Sequence, residues 1–260
     1  MKIGVSSTAF TLEPFLTTLE KVNKDFEHWE IVADIKQLLP DIVDDFNAYM
    51  PSYDLSVSVH APFNDLNIAS LNPKIREMAV GYLKNTIATA DTLGLERVTL
   101  HPGHLCPSGV YATDKVKKAN QESLKDISDF SSEYNVTLAL ENMPMKYWTL
   151  GNTADEILEM IADNNMGICF DIGHANITGE IDNFLKNIEK FYNVHIHDNN
   201  GRRDEHLVLG EGSIDIPSFI KELMAHKYSG KIIIESNNII EGIESKRYLQ
   251  NLLKNEVPLN

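Results

Sequence analysis

The sequence Val194-His195-Ile196-His197-Asp198 has the pattern of a short β-strand that carries two imidazoles on one face. Because side chains alternate along a strand, His195 and His197 point to the same side. A polar loop follows and adds Asp204 and His206. Imidazoles and carboxylates that converge from a rigid element are typical metal ligands. The stretch therefore indicates a strand end that carries part of a metal site.

Eight short apolar segments recur along the chain, each followed by a loop and a helical pattern. The predicted strands are Lys2–Ser6, Trp29–Ala33, Leu55–His60, Arg97–His101, Thr137–Glu141, Gly167–Asp171, Asn193–His197 and Lys231–Glu235. The predicted helices lie near Leu12–Asn23, Ile35–Tyr49, Pro73–Leu93, Thr113–Tyr134, Ala154–Asp163, Ile181–Phe191, Ile216–His226 and Glu241–Leu253. This alternation predicts parallel βαβ units. Eight units in 260 residues predict one α/β domain over residues 1–260, a single (β/α)8 TIM barrel, with a doubly wound open sheet as the alternative.

The composition is that of an ordinary globular protein, with 43% hydrophobic and 23% charged residues. No apolar run approaches the roughly 20 residues of a membrane span, and the first residues lack the apolar region of a signal peptide. We therefore expect a cytoplasmic protein without membrane contact. Cys106 and Cys169 give no disulfide framework and are expected to be reduced thiols. The net charge of −15 opposes non-specific binding to polyanions, although divalent ions at one face could reverse the sign locally.

Acids and histidines lie at the carboxyl ends of six predicted strands or in the loops that follow them. They are His60, His101, Glu141, Asp171, His174, His195, His197, Asp204, His206 and Glu235. In an eight-stranded barrel, active sites are built at these ends. Each residue alone is more typical of a hydrogen-bonded core position or a helix cap, but burying the whole set unpaired costs on the order of several kcal/mol per group. The pattern therefore predicts bound divalent metal, and the histidine-rich set fits Zn²⁺, Mn²⁺, Co²⁺ or Fe²⁺ better than Mg²⁺ alone.

The same residues carry a resemblance to the xylose isomerase-like barrel superfamily, which includes endonuclease IV and the sugar-phosphate isomerases and epimerases. The matching motifs are His60-Ala61-Pro62-Phe63, His101-Pro102-Gly103, Leu140-Glu141-Asn142, Phe170-Asp171-Ile172-Gly173-His174-Ala175, His195-Ile196-His197-Asp198, Asp204-Glu205-His206, Gly210-Glu211-Gly212 and Ile234-Glu235. Each motif is short. The resemblance rests on their order and on their placement, one per strand, over almost the whole chain.

The resemblance implies a site for one to three ions, Zn²⁺ or Mn²⁺, built from three groups of ligands. The groups are a four-ligand site of Glu141, Asp171, His195 and Glu235, a second site of His60 and His101 bridged by Glu141, and a third site of His174, Asp204 and His206. His197 stands where relatives carry other polar residues. It is expected to contact the substrate or to support a ligand.

Proton transfer on a small sugar or sugar phosphate is the reaction that the sequence favours. A metal chelated by substrate oxygens acidifies the C–H beside the carbonyl and stabilises an enediolate. Glu141 and Glu235 would then remove and return the proton as the catalytic residues. Substrate contacts are expected from His197, Arg202, Arg203, Lys146 and Trp148, although the arginines are equally typical of solvated loop charges.

Phosphodiester hydrolysis at abasic DNA sites, as in endonuclease IV, is the alternative reaction. A three-metal cluster would generate hydroxide and stabilise the leaving oxygen. The full ligand set favours this alternative, but the strand-end loops contain few of the basic residues that a duplex-binding face requires. A non-catalytic, metal-containing binding protein is the third hypothesis.

Overall fold

The computed structural model describes residues 1–144 and 148–256, and within them eight parallel strands close into one barrel. The strands are β1 (Lys2–Ser6), β2 (His28–Val32), β3 (Ser56–His60), β4 (Arg97–Leu100), β5 (Thr137–Glu141), β6 (Met166–Asp171), β7 (Phe191–Ile196) and β8 (Lys231–Ile234). Neighbours pair in chain order, and β8 returns to β1 with Lys2 opposite Lys231 and Val5 opposite Ile234. This closure confirms the predicted single (β/α)8 barrel and excludes the open sheet. That one domain extends over all of residues 1–260 stays a prediction.

Helices surround the barrel. They are α1 (Phe15–Val22), α2 (Val43–Tyr49), α3 (Pro73–Thr92), α4 (Thr113–Ser131), α5 (Ala154–Ile161), α6 (Ile172–Thr178), α7 (Ile181–Leu185), α8 (Ile216–Ala225) and α9 (Ile239–Glu256). Local chemistry fixes several starts: Pro73 occupies the first turn of α3, and the Thr153 hydroxyl accepts a hydrogen bond from the Glu156 N–H at α5. Across the described ranges, none of these helices combines the length and apolar character needed to span a membrane.

The predicted helix Ile35–Tyr49 begins later than its pattern indicated. Ile35 has φ +52°, a left-handed conformation that does not continue into an α-helix. Pro40 lies in a short 3₁₀ turn, and the α-helix starts only at Val43. In this first half, Ile35 is exposed, whereas Leu39 and Ile42 are buried and anchor the segment to the barrel.

The segment after β6 also differs from its predicted pattern. The predicted helix Ile181–Phe191 ends at Leu185, and Phe191 already belongs to β7. No separate pattern predicted α6, which starts directly at the end of β6. The N-cap residue of α6 is Asp171, whose carboxylate accepts a hydrogen bond from the His174 N–H at 2.7 Å. Asp171 is also one of the predicted ligands.

An aromatic cluster fills the layer between β6 and the outer helices. The fully buried ring of Phe170 packs against Phe184, Phe191 and Phe219 at centroid distances of 5.2, 4.7 and 5.7 Å. Because side chains alternate along a strand, the outward Phe170 places its neighbour Asp171 inside the barrel. Packing of this cluster thus fixes the face that β6 presents to the rim.

Replacing Phe170 by Ala should destabilise the protein by about 3–5 kcal/mol, because it leaves a cavity between the sheet and three aromatic neighbours. Urea unfolding followed by circular dichroism measures the loss. Tyr111→Ala is the control: that ring is 91% exposed, and its removal should change the free energy of unfolding by less than about 0.5 kcal/mol. Equal losses in the two variants would contradict the packing argument.

His28 is a buried imidazole at the amino end of β2, away from the strand-end acids. Its ring nitrogens lie 2.9 Å from the hydroxyl oxygens of Ser56 and Ser58. Burial, together with the positive charge of Lys231, lowers the pKa of His28 from 6.5 to about 3. The folded protein therefore holds this imidazole neutral.

The lowered pKa of His28 makes stability depend on pH. Between about pH 6.5 and 3 the unfolded chain binds a proton at this position that the folded chain does not bind. The contribution is complete above about pH 6.5 and is lost as the pH falls, by at most about 1.4 kcal/mol per pH unit. Urea unfolding of metal-free protein from pH 7 down to about pH 4 should show a shallower dependence for His28→Gln than for the exposed control His226→Gln. Identical slopes would show that His28 does not titrate in this way.

Candidate metal centre

The carboxyl ends of the strands bring acids and imidazoles together at one rim. The structure places all nine predicted ligands in connected groups whose ligand atoms lie within 4.8 Å of one another: His60, His101, Glu141, Asp171, His174, His195, Asp204, His206 and Glu235. Ligand atoms that share one tetrahedral zinc ion lie about 3.4 Å apart, given bonds of about 2.0–2.1 Å. The separations at the rim can therefore be compared directly with those of a metal site.

His60, His101 and Glu141 form the first group. The Glu141 Oε2 atom lies 3.1 Å from His60 Nε2 and 3.3 Å from His101 Nε2, and the two nitrogens lie 3.2 Å apart. The other nitrogen of His60, Nδ1, lies 2.8 Å from the carbonyl oxygen of Ala61 and is placed to donate to it. This contact leaves the Nε2 lone pair directed into the group.

The second group is centred on His195. Its Nδ1 atom lies 3.4 Å from both Glu141 Oε1 and Glu235 Oε1, and Asp171 completes the group. The hydroxyl of Thr8 donates to Glu235 Oε1 at 3.3 Å. Two carboxylates from different strands thus face the same imidazole nitrogen.

Asp204 joins two histidines in the third group. Its Oδ2 atom lies 3.3 Å from His174 Nε2, and its Oδ1 atom lies 3.3 Å from His206 Nε2. His174 Nδ1 lies 2.8 Å from the carbonyl oxygen of Asn142, so Nε2 again faces the acid. His206 has φ +49°, an uncommon conformation for a residue with a side chain and one that functional loops often contain.

The buried carboxylate of Asp198 holds the loop that carries Asp204 and His206. It accepts hydrogen bonds from the N–H groups of Gly210, Gly212 and Ile214 at 2.9, 3.0 and 3.2 Å. A Cβ atom at position 212 would lie 2.1 Å from Asp198 Oδ1, which explains the glycine there. This part of the sequence motif is therefore structural.

Four buried polar atoms of the rim have no hydrogen-bond partner. They are Asp171 Oδ2, His195 Nδ1, His197 Nε2 and Asp204 Oδ1. Leaving such an atom unsatisfied costs about 1–3 kcal/mol. Divalent ions bound within the groups that contain these atoms would satisfy them, so the residues present fit divalent metal.

The electrostatics of the rim also favour positive charge. Burial opposes ionisation of Glu141, but the imidazoles of His195 and His101 lower its pKa well below the ordinary value. Burial likewise opposes charge on His174, yet Asp171 and Asp204 raise its pKa to about 10. Metal binding at these atoms would replace protons and release them.

Glu30 on β2 belongs to the site, and the sequence analysis missed it. Its Oε1 atom lies 2.6 Å from His195 Nε2, and its Oε2 atom accepts from Asn193 Nδ2 at 2.8 Å and from the Ser58 hydroxyl at 3.1 Å. Burial raises the pKa of Glu30, but His195 outweighs it and lowers that pKa to about 2. Glu30 therefore stays ionised, holds His195 by Nε2–H, and leaves Nδ1 free for the rim. The sequence feature that could have indicated Glu30 is an acidic residue between apolar residues of a strand, and in the structure that whole strand is buried.

A cavity of about 760 Å³ opens above the rim, and Glu141, His174 and Glu235 form part of its floor. Its walls are largely apolar and include Phe63 and Met143. The described residues that line it include no lysine or arginine.

The residues predicted to contact the substrate differ in their position relative to the cavity. Trp148 lines the cavity and is 47% exposed. Arg202 and Arg203 are exposed, and they are absent from the described lining. His197 is fully buried among the acids and histidines of the rim, beyond the cavity surface. Lys146 lies outside the described residues.

Known proteins resemble this chain in sequence and in fold. An uncharacterised protein of Methanocaldococcus jannaschii is 35% identical over 98% of this chain and 90% of its own length. A probable endonuclease 4 of Oceanobacillus iheyensis is 31% identical over 61% of this chain and 58% of its own length. The crystal structure of a D-tagatose 3-epimerase-like protein has a TM-score of 0.92 and 35% identity, and the match covers 98% of this chain and 97% of that one.

The model of the xylose isomerase-like TIM barrel family matches residues 22–253. That span runs from the end of α1 into α9 and includes all nine predicted ligands. The chain therefore belongs to the xylose isomerase-like TIM barrel family.

Proposed function

We propose that the chain is a divalent-metal-dependent isomerase or epimerase of a small sugar. The observation that carries the proposal is the cavity above the rim: it has the volume of a small-molecule site, its walls are mostly apolar, and its floor holds Glu141 and Glu235. The similarity to a D-tagatose 3-epimerase-like protein at 35% identity supports the same class of reaction. Because the described lining carries no lysine or arginine, the proposal favours a neutral sugar over a sugar phosphate.

The proposed ion is Zn²⁺ or Mn²⁺, held by Glu141, Asp171, His195 and Glu235. When bound, it polarises the substrate carbonyl and acidifies the neighbouring C–H. Imidazole mixed with carboxylate suits these ions. Glu30 keeps the His195 lone pair directed at the site through the 2.6 Å contact.

The chemistry assigned to the chain itself is movement of one proton. Glu235 lines the cavity and is oriented by the Thr8 hydroxyl, so it is placed to take the proton from the carbon beside the carbonyl. The C–H electron pair then forms the enediolate. Glu141, on another strand, is placed to pass a proton from a water molecule to the opposite face of that carbon, which inverts it. The hydroxide that remains takes the proton from Glu235, so both carboxylates end the cycle as they began it.

Phosphodiester hydrolysis is the second candidate function. Two observations favour it: the rim contains three groups of ligands, and the chain is 31% identical to a probable endonuclease 4 over 61% of its length. Duplex DNA requires a face that neutralises several phosphates, whereas the cavity walls are mostly apolar. DNA is therefore a partner only under this alternative.

The deciding experiment supplies metal-loaded protein with a panel of ketoses in D₂O and, separately, with a duplex that contains one abasic site. We expect deuterium to enter the carbon beside the carbonyl and the epimeric sugar to appear in the NMR spectrum. Nicking of the duplex without deuterium exchange would overturn the proposal in favour of the hydrolase. Bound metal with neither reaction would support the non-catalytic binding protein.

Glu235→Gln should lower the exchange rate by about 10²–10⁴-fold, because the amide cannot accept the proton. The circular dichroism spectrum should be unchanged, since the replacement is nearly isosteric. Glu205→Gln is the matched control, because that acid only accepts hydrogen bonds from Asn200 in its loop. Turnover that survived in Glu235→Gln would remove Glu235 from the mechanism.

Glu30→Gln should weaken metal binding by about 10–100-fold, because a neutral amide oxygen accepts a weaker hydrogen bond from His195 Nε2–H and no longer makes His195 a more basic ligand. Competition with a chelator measures the affinity, and visible absorption of the Co²⁺ form reports the ligand geometry. Glu30→Asp keeps the charge and should recover part of the affinity. Full affinity and an unaltered Co²⁺ spectrum in Glu30→Gln would show that the 2.6 Å contact only stabilises the fold.

A further inference from the structure

His104 lines the cavity above the rim and differs from the other histidines there. It lies in the loop after β4, three residues beyond His101, and is half-buried. In the described parts of the chain, 1–144 and 148–256, its ring makes no hydrogen bond or ion pair, and no group of possible metal ligands includes it. Both ring nitrogens are therefore available to a molecule that occupies the cavity.

The backbone of His104 is held in place from two sides. The Asn67 side chain makes two hydrogen bonds with it: Oδ1 accepts from the His104 N–H at 3.0 Å, and Nδ2 donates to the His104 carbonyl at 2.8 Å. On the other side His104 pairs with Thr149 in an antiparallel bridge, and the Leu105 N–H donates to the Trp148 carbonyl at 2.6 Å. The loops after β3, β4 and β5 are thus tied together at this histidine.

Gly103 allows the same loop to pack closely. A Cβ atom at position 103 would lie 2.3 Å from the Cβ atom of Ala69, and the Gly103 N–H donates to Oδ1 of the buried Asn120 at 2.8 Å. Because the backbone that carries His104 is already fixed, little conformational freedom is lost there when a ligand binds.

The ring of His104 is neutral near pH 7. Burial lowers its pKa from the ordinary value of 6.5, and no acid acts in the opposite direction. His174 in the rim is the contrast, because Asp171 and Asp204 raise its pKa to about 10. A neutral imidazole has one N–H donor and one acceptor nitrogen, and a sugar hydroxyl also donates and accepts. The two groups are therefore complementary.

Other polar side chains in this part of the lining already have partners within the protein. The Thr149 hydroxyl donates to the Pro144 carbonyl at 2.8 Å, and the Cys106 thiol lies 3.4 Å from the Ser108 hydroxyl. A sugar hydroxyl that loses its water against the apolar wall needs a new partner. His104 can supply it.

We propose that His104 is a specificity-determining residue whose imidazole hydrogen-bonds a substrate hydroxyl remote from the carbonyl. The inference rests on the proposed sugar isomerase or epimerase reaction, and it restricts the substrate to sugars that present a hydroxyl at this point of the wall. The reacting carbon lies at the floor, with Glu141 and Glu235, so the contact with His104 is the same before and during the reaction. Such uniform binding lowers KM and leaves kcat unchanged.

The test combines two variants of His104 with analogues of the substrate. The parent sugar is the ketose that exchanges deuterium fastest with metal-loaded protein, and each analogue lacks one hydroxyl on a carbon not bonded to the carbonyl. His104→Leu should raise KM for the parent sugar about 10-fold with kcat unchanged, because one neutral hydrogen bond is lost. For one analogue, the unaltered chain and His104→Leu should have the same KM within about twofold, since that contact is already missing. His104→Gln keeps a donor and an acceptor and should recover part of the loss.

His226→Leu is the matched control, because this exposed histidine is absent from the described cavity lining. Its KM should equal that of the unaltered chain for every sugar. An unchanged KM for the parent sugar in His104→Leu would overturn the inference, and so would equal increases for the parent and all analogues, which indicate a structural defect. Altered visible bands of Co²⁺-loaded His104→Leu would also overturn it, because His104 would then act on the metal site. Failure of the unaltered chain to exchange deuterium with any ketose would instead overturn the proposed function, and this inference with it.

Discussion

Glu141 is the carboxylate around which the rim is arranged. Its two oxygens lie 3.1–3.5 Å from ring nitrogens of His60, His101, His174 and His195. These imidazoles come from β3, the loop after β4, α6 and β7, which only closure of the barrel brings together. A buried anion needs compensating charge, and the same nitrogens that lower the pKa of Glu141 can bind cations in place of protons. The charge of Glu141 is therefore compensated only when the barrel is closed.

The fold and most of the rim could be predicted because both depend on local patterns. An apolar run that ends in a polar residue marks the end of a parallel strand, as at Glu141 on β5 and Asp171 on β6. All parallel strands of a closed barrel present their carboxyl ends at one rim. Residues far apart in the chain could therefore be assigned to one site without knowing the register between strands.

The contribution of Glu30 and the position of the His197 ring could not be predicted, because both depend on contacts between elements that are far apart in the sequence. Glu30 lies 165 positions before His195, and the two meet inside the barrel only because its closure leaves just β1 and β8 between β2 and β7. Glu30 also lies at the centre of β2, between apolar residues, and not at the carboxyl end of the strand, where active sites of this fold are built. The position of the His197 ring likewise depends on the space that Gly173 leaves, and no periodicity in the sequence indicates that space.

The family's ligand set does not by itself determine the reaction; the number of positions left open around each ion does. Four protein ligands fill the coordination shell of a tetrahedral ion, whereas an ion that takes five or six ligands keeps a position for substrate when four side chains hold it. Asp198 ties the loop at 204–214 to the barrel through three backbone N–H groups, so the protein itself holds Asp204 and His206 at the rim. The apolar wall above Glu235, more than the number of ligands, is the observation that favours the proposed sugar chemistry over hydrolysis.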